Sequence, residues 1–123
     1  MAVHVLNSDS VRKRYTPSAT ISSRVKRLIF NKSGMALLES RFNKSDFLQI
    51  LFDDEKTDVF WVRLCDQGIT GARRMTTASP KTKSIGITGL LTQLKWNIDY
   101  TVRAPMIWDE EVMAVRVDLG AKA

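Results

Sequence analysis

The sequence predicts a mostly β protein of the α+β class, with two short helices, built from two similar units that share one core. Three observations support this class. The C-terminal half repeats the residue pattern of the N-terminal half, apolar residues alternate through much of each half, and each half contains one short stretch of helical spacing. A unit of roughly 40 residues buries too little surface alone. We therefore expect one shared core with an approximate two-fold axis, in a chain whose 123 residues suit a single domain.

Each unit begins with a short strand that leads directly into a helix. The alternating apolar residues of the strands are Leu28 and Phe30 in the first unit, and Ile85 and Ile87 in the second. Asn31 and Thr88 follow at once, and both are residue types whose side-chain oxygen caps a helix. Helical spacing then continues through Met35, Leu38 and Phe42 in the first unit, and through Leu91, Leu94 and Ile98 in the second. The pattern predicts one helix after each strand.

A β-hairpin with an acidic turn closes each unit. The entering strands alternate at Leu48, Ile50 and Phe52 in one unit, and at Val102, Ala104 and Met106 in the other. The turns are Asp53-Asp54-Glu55 and Asp109-Glu110-Glu111. The returning strands alternate at Phe60, Val62 and Leu64, and at Val115, Val117 and Leu119. Residues 8–65 are thus the first repeat, 66–82 a basic linker with the first strand of the second copy, and 83–119 the second repeat.

Composition indicates a protein of the cytoplasm without a membrane segment. No run approaches the 18 apolar residues of a membrane span, and the N-terminus lacks the pattern of a secretory signal. The single cysteine, Cys65, has no partner for an internal disulfide and is read as a small apolar side chain.

Catalysis and metal binding have little support in the sequence. The one histidine, His4, stands near the N-terminus, so no triad or cysteine–histidine pair can be assembled. The acidic clusters lack the ligand spacing of a calcium loop and are explained by hairpin turns. We expect a non-enzymatic protein without catalytic residues, metal or cofactor.

The charge favours a polyanionic partner. Nineteen Lys and Arg residues against thirteen Asp and Glu residues give a net charge of +6. The candidate phosphate-binding residues fall in three clusters, namely Arg12, Lys13 and Arg14; Arg24, Lys26 and Arg27; and Arg73 and Arg74 with Lys81 and Lys83. These clusters precede the helices, whereas the acids gather at the hairpin turns, so we expect the two signs of charge at opposite ends of the molecule. Solvated loops in a merely basic protein are the alternative.

A family resemblance rests on VRKRY and on RLIFNKSGMALLESRFNKSDFLQILFDDEKTDVFWVRL. These stretches resemble the swapped-hairpin domain of AbrB and MazE-type transcription regulators, in which two copies interlace into a DNA-binding barrel. The resemblance implies a single-chain, pseudo-two-fold, swapped-hairpin-type barrel made by duplication. It matches VRKR to the family's basic first strand, and places Pro17 and ATISS in the loop that follows. The family often has proline at the helix entry and arginines in the first turns of the helix, and this chain has neither, so the resemblance concerns the fold more than the operator-reading surface.

Trp61 and Arg63 give a second hypothesis for nucleic-acid binding. Strand alternation turns both away from Phe60 and Val62, where an exposed indole beside an arginine could stack an unpaired base. Packing of Trp61 against the other copy or a partner is the alternative explanation.

Three functions therefore stay open. The first is a non-enzymatic DNA-binding protein that contacts the phosphate backbone of a duplex, as a transcription regulator of a phage or another mobile element would. The second is a single-strand-binding accessory protein of replication or recombination. The third is a structural or inhibitory module that binds an acidic protein. Self-association into a homodimer or a higher oligomer is compatible with each.

Overall fold

One sheet of antiparallel strands makes up most of the protein. The computed structural model describes residues 16–22, 24–53, 55–79, 82–87, 89 and 101–120. Their strands are β1 (Ser18–Ser22), β2 (Arg27–Phe30), β3 (Phe47–Asp53), β4 (Lys56–Cys65), β5 (Arg73–Arg74), β6 (Thr76–Ser79), β7 (Thr82–Gly86), β8 (Thr101–Asp109) and β9 (Ala114–Asp118). The helix α1 (Lys32–Arg41) lies between β2 and β3.

The strand order makes the sheet a nearly closed barrel. Neighbouring strands follow the order β5-β3-β4-β9-β8-β1-β2-β7-β6. The two edge strands, β5 and β6, are separated by Met75 alone, whose backbone N–H donates to the Asp46 carbonyl at 2.8 Å. One stretch of chain therefore pairs with β3 on one side and with β7 on the other. This stretch, residues 73–79, joins the two edges of the sheet, and we call it the seam.

Strand β8 also joins two parts of the barrel. Its first half, residues 101–105, pairs with β1, and its second half, 106–109, pairs with β9. We call β1, β2, β6, β7 and the first half of β8 the first sheet. We call β3, β4, β9 and the second half of β8 the second sheet.

The predicted helix after Asn31 is confirmed, and Asn31 fixes its start. The Asn31 side-chain oxygen accepts from the Gly34 N–H at 2.6 Å, which caps the first turn. The same oxygen accepts from the Ser18 N–H, and the Asn31 amide donates to the Ser18 hydroxyl. Because Ser18 begins β1, this one side chain ties the helix to the sheet. The second predicted helix, over Leu91, Leu94 and Ile98, lies outside the described residues.

The core fills the barrel interior with alternate residues of the strands. Phe60, Val62 and Leu64 of β4 are buried together with Val115 and Val117 of β9, as the alternation predicts. Leu28, Phe30, Ile85 and Ile87 join the same cluster, and α1 adds Met35 and Leu38. The alternation weakens at Phe52, which is 42% exposed where β3 enters its turn.

One prediction about the first strand is wrong. Residues 18–22, expected within a loop, form β1, with Ala19 and Ile21 fully buried. Pairing with β2 and β8 on both sides satisfies the backbone of this short stretch, and the small Ala19 faces Ala104 across β8. The predicted first strand, residues 11–15, lies outside the described residues.

Both acidic turns form as the sequence predicts. The Asp53 side chain accepts from the Glu55 N–H at 2.9 Å, and Asp109 accepts from the Glu111 N–H at 3.0 Å. The two hairpins therefore use the same side-chain-to-backbone bond at the same place in the turn.

Candidate nucleic-acid interface

The two sheets of the barrel carry charges of opposite sign. Among the described residues, the first sheet and its β1–β2 turn contain no Asp or Glu, and five basic side chains, Arg24, Lys26, Arg27, Lys83 and Arg103. Strand β5, at the seam, adds Arg73 and Arg74. The described residues of the second sheet and its turns include three basic side chains, Lys56, Arg63 and Arg116, against seven acidic ones, Asp53, Glu55, Asp58, Asp109, Glu110, Glu111 and Asp118. The charges are sorted by sheet.

Arg27 is held on the outer face of the first sheet by two hydroxyl groups. Its Nε donates to the Ser84 hydroxyl at 3.0 Å, and its Nη2 donates to the Thr76 hydroxyl at 2.7 Å. Alternation along β2 explains its direction, because the neighbouring Leu28 points into the core. Pairing of β2 with β7 and of β7 with β6 brings these side chains together. Arg27 thus has a fixed position with donor capacity left over.

Arg73 reaches the same place from the seam. A Cβ on Gly86 would stand 3.9 Å from Arg27 Nη1 and 4.0 Å from Arg73 Nη2, so both guanidinium groups approach this glycine. In the described part of the chain, neither arginine forms an ion pair with a carboxylate. Two neighbouring guanidinium groups without a counter-charge form a cradle suited to a phosphate.

The other predicted basic residues of this region differ from one another in their exposure and in their partners. Arg24 and Lys26 are exposed in the β1–β2 turn, beside the start of β2. Arg74 lies near Asp46, whose carboxylate accepts from Lys83 at 2.7 Å. The Lys83 hydrogen bond and charge, and then the charge of Arg74, lower the pKa of Asp46. Arg74 and Lys83 therefore stabilise the carboxylate of Asp46 beside the seam, and they also contribute charge to the basic surface. Arg12, Lys13 and Arg14 lie outside the described residues.

Arg103 is a basic residue of this face that the sequence reading missed. It is exposed on β8, opposite Thr20 of β1, and its Nε donates to the Ser18 hydroxyl at 3.1 Å. Arg103 stands alone between apolar residues, so a search for clusters of basic residues passes over it. Alternation was the available signal, because inward-facing Ala104 turns Arg103 outward.

Trp61 and Arg63 lie on the second sheet, apart from the basic face. Trp61 is only 7% exposed and packs with Val59 and Ala114, with Leu51 and Val112 against them. At this exposure the indole offers little surface on which an unpaired base could stack. Arg63 donates from Nε to the Gln49 side chain at 2.6 Å. The packing explanation for Trp61 therefore describes its surroundings better than the stacking hypothesis does.

Trp61 also fixes the second acidic turn. Its indole N–H donates to Asp109 Oδ2 at 2.9 Å. This hydrogen bond, more than the backbone bonds from Glu111 and Val112, lowers the pKa of Asp109. The carboxylate stays ionised beside the tryptophan because the N–H stabilises its charged form.

The described residues offer little support for metal binding or for thiol chemistry. They contain no group of three or more His, Cys, Asp and Glu side chains that could hold a metal ion. Burial raises the pKa of the Cys65 thiol, which disfavours the reactive thiolate. Nor does any helix in this part of the chain combine the length and apolar character needed to cross a membrane.

Comparisons with protein-family models, with curated proteins and with solved structures find no match to this chain.

Proposed function

We propose that this protein is a non-enzymatic DNA-binding protein that holds the phosphate backbone of a duplex on the outer face of its first sheet. The observation that carries the proposal is the approach of Arg27 and Arg73 to Gly86, with no ion pair between either arginine and a carboxylate of the described residues. Arg–phosphate contacts are strong and specific in geometry because the guanidinium group presents a fork of donors. Arg24, Lys26 and Arg103 extend the basic surface on either side.

The polar side chains around the two arginines suit the same role. Outward residues of the first sheet follow one row across the strands, Arg103, Thr20, Ile29, Ser84 and Thr76. Ser and Thr hydroxyl groups are among the donors that contact phosphates in protein–DNA complexes. A face with arginines and hydroxyls and without acids binds phosphates without reading bases, so we assign this surface to affinity rather than to sequence choice.

We further propose that the barrel is a duplicated swapped-hairpin unit. Its strand order reads the same when the halves are exchanged, with β2 beside β7, β4 beside β9, and the pair β1–β8 matching the pair β3–β5. The sequence repeat equates Leu28 with Ile85, and these two residues face each other across β2 and β7. An approximate two-fold axis through this pair accounts for both facts.

The opposite side of the barrel supports the same axis. The sequence repeat equates Phe60 with Val115, and therefore Trp61 with Arg116. Trp61 and Arg116 also face each other, across β4 and β9. The pairing revises two details of the repeat. Phe52 corresponds to Trp108 rather than to Met106, and residues 73–79, expected to hold a linker and the first strand of the second copy, correspond to β1.

The axis gives a reason to favour a duplex. It emerges on the first sheet between β2 and β7, at the centre of the basic surface. The phosphate rows of a duplex are related by two-fold axes, so a pseudo-symmetric surface can meet both strands in similar ways. A single strand offers no such match.

Binding of a labelled duplex across a salt series tests the proposal. Each phosphate contact contributes about 0.9 to the slope of log K against log salt. Arg73→Gln should therefore weaken binding several-fold and reduce the slope by about 1. Arg73 is the better site for this change, because Arg27 also bonds Ser84 and Thr76 within the sheet.

Arg63→Gln is the matched control, because it removes the same charge from the second sheet. It should leave both the affinity and the slope near those of the unaltered protein. Equal effects of the two substitutions would mean that only net charge matters. Tighter binding of single strands than of duplex would favour the accessory-protein hypothesis, and no binding at low salt would contradict both.

A further inference from the structure

The outer face of the second sheet carries an apolar groove next to an acidic cleft. The groove, about 500 Å³ in volume, is lined by Leu51, Phe52, Asp53, Glu55, Trp61 and Val112. The cleft, about 550 Å³, adjoins it at Trp61 and contains the carboxylates of Asp58, Asp109, Glu110, Glu111 and Asp118. The apolar floor therefore lies between two acidic turns.

Phe52 makes this groove unusual for a solvated surface. It is 42% exposed, and Met113 beyond the other turn is 59% exposed. The neighbouring outer cluster around Trp61 is buried. An apolar strip with a polar rim is typical of an interaction site, and the carboxylates of the cleft outnumber its two cations, Lys56 and Arg116. Its occupant should present an apolar side chain flanked by cations.

The β1–β2 turn of the same protein has this composition. Val25 is 59% exposed and stands between the exposed cations Arg24 and Lys26. Lys26 adopts a left-handed conformation, with φ of 54°, which keeps the turn tight between its two strands. No acidic residue lies in β1, β2 or the turn between them.

We propose that the Arg24-Val25-Lys26 turn of a second copy docks into the groove beside Trp61. Val25 would cover Phe52 and Leu51, while Arg24 and Lys26 would meet the acidic turns on either side. The turn and the groove belong to different sheets, so the contact is head-to-tail. A pair of molecules joined by such a contact keeps one turn and one groove free, which leads to a chain or a ring of copies rather than to a closed dimer.

A contact made by one turn is small and partly electrostatic. Interfaces below about 1,200 Å² belong to weak, transient complexes. We therefore expect self-association only at high protein concentration, and we expect it to weaken as salt is raised. The inference does not depend on nucleic-acid binding, and its test contains no nucleic acid.

Sedimentation velocity with complementary variants tests the contact. Val25→Glu places a carboxylate in the turn, so the turn should no longer dock into a groove. The double variant Phe52→Lys/Glu55→Lys places two cations in the groove, so the groove should no longer accept a turn. Either variant alone should stay monomeric at concentrations where the unaltered protein associates. An equimolar mixture should form a one-to-one complex and stop there, because one partner keeps the groove and the other keeps the turn.

Ile69→Glu is the matched control, since it places the same charge on another exposed apolar residue, 45% exposed and distant in sequence from the turn. This variant should associate like the unaltered protein. Circular dichroism and thermal melting of each variant establish that it is folded. A mixture that stays monomeric while the unaltered protein associates would overturn the head-to-tail contact. A protein that stays monomeric at every concentration would overturn self-association altogether.

Discussion

One side chain on the outer face of the second sheet holds a turn that is distant in the sequence. Trp61 does so for the second acidic turn, by donating its indole N–H to Asp109 Oδ2 at 2.9 Å. The other oxygen of Asp109 accepts from the Glu111 N–H. Both bonds are stronger to an ionised carboxylate than to a protonated one. The position of this turn should therefore depend on pH.

Replacement of Asp109 by Asn tests that dependence. The folded protein lowers the pKa of Asp109 below its unfolded value, mainly through the Trp61 bond. The stabilisation is therefore complete above the unfolded pKa, and is lost as the pH falls through the lower, folded pKa. Asp109→Asn should unfold more easily than the unaltered protein at neutral pH, and the difference should shrink in acid.

Urea denaturation at a series of pH values, followed by tryptophan fluorescence, measures the difference. Glu110→Gln is the control, because it removes one charge from an exposed side chain of the same turn. A difference for Asp109→Asn that stayed constant from neutral to acid pH would show that the charge of Asp109 does not contribute.

At the scale of elements, α1 packs so closely on the barrel that one position admits no side chain. A Cβ at Gly34 would stand 2.7 Å from Met106 Sδ and 3.0 Å from the Ser18 carbonyl oxygen. The methionine can move, but the backbone oxygen belongs to β1 and is fixed by its strand pairs. Gly34 thus permits the contact between helix and sheet.

The substitution Gly34→Ala separates packing from helix propensity. Propensity alone predicts a gain of about 1 kcal/mol, because alanine is the better helix former. The close contacts predict a loss, of roughly 1 to 3 kcal/mol, as found for overpacked cores. We expect the loss, measured as the free energy of unfolding in urea. Gly68→Ala, where nothing lies within 4 Å of the added Cβ, should be close to neutral. A more stable Gly34→Ala variant would mean that the contact yields.

Elements with local signals could be predicted from the sequence, and those that depend on distant pairing could not. Asn31 predicts the start of α1 because its side chain can cap a helix, and the acidic turns predict both hairpins. Strand β1 has only Ala19 and Ile21 as inward residues, and its second neighbour, β8, is remote in the chain. The alternation of polar and apolar residues within 18–22 is therefore too short to indicate a strand by itself.

The candidate site follows the same rule. Clusters of basic residues were visible, and they include Arg27 and Arg73. The approach of Arg27 and Arg73 to Gly86 could not be predicted, because it results from the pairing of β2 with β7 and from the path of the seam. Arg103 completes the face from a strand in which no other basic residue is found.

The whole molecule is a barrel with one basic and one acidic sheet. The sequence predicts charges at opposite ends along the repeat, whereas the structure sorts them between sheets. The difference arises because β2 and β7 come together, as do β4 and β9. Each half of the chain contributes strands to both sheets.

The central claim is that a duplex meets the first sheet and leaves the second sheet free. Titration of the ¹⁵N-labelled protein with a short duplex, followed by amide and indole NMR signals, tests it most directly. We predict that the largest shifts fall on Arg27, Ile29, Ser84 and Gly86, while the Trp61 indole signal stays unchanged. Shifts concentrated around Trp61 and the acidic turns, with the first sheet unaffected, would contradict the claim.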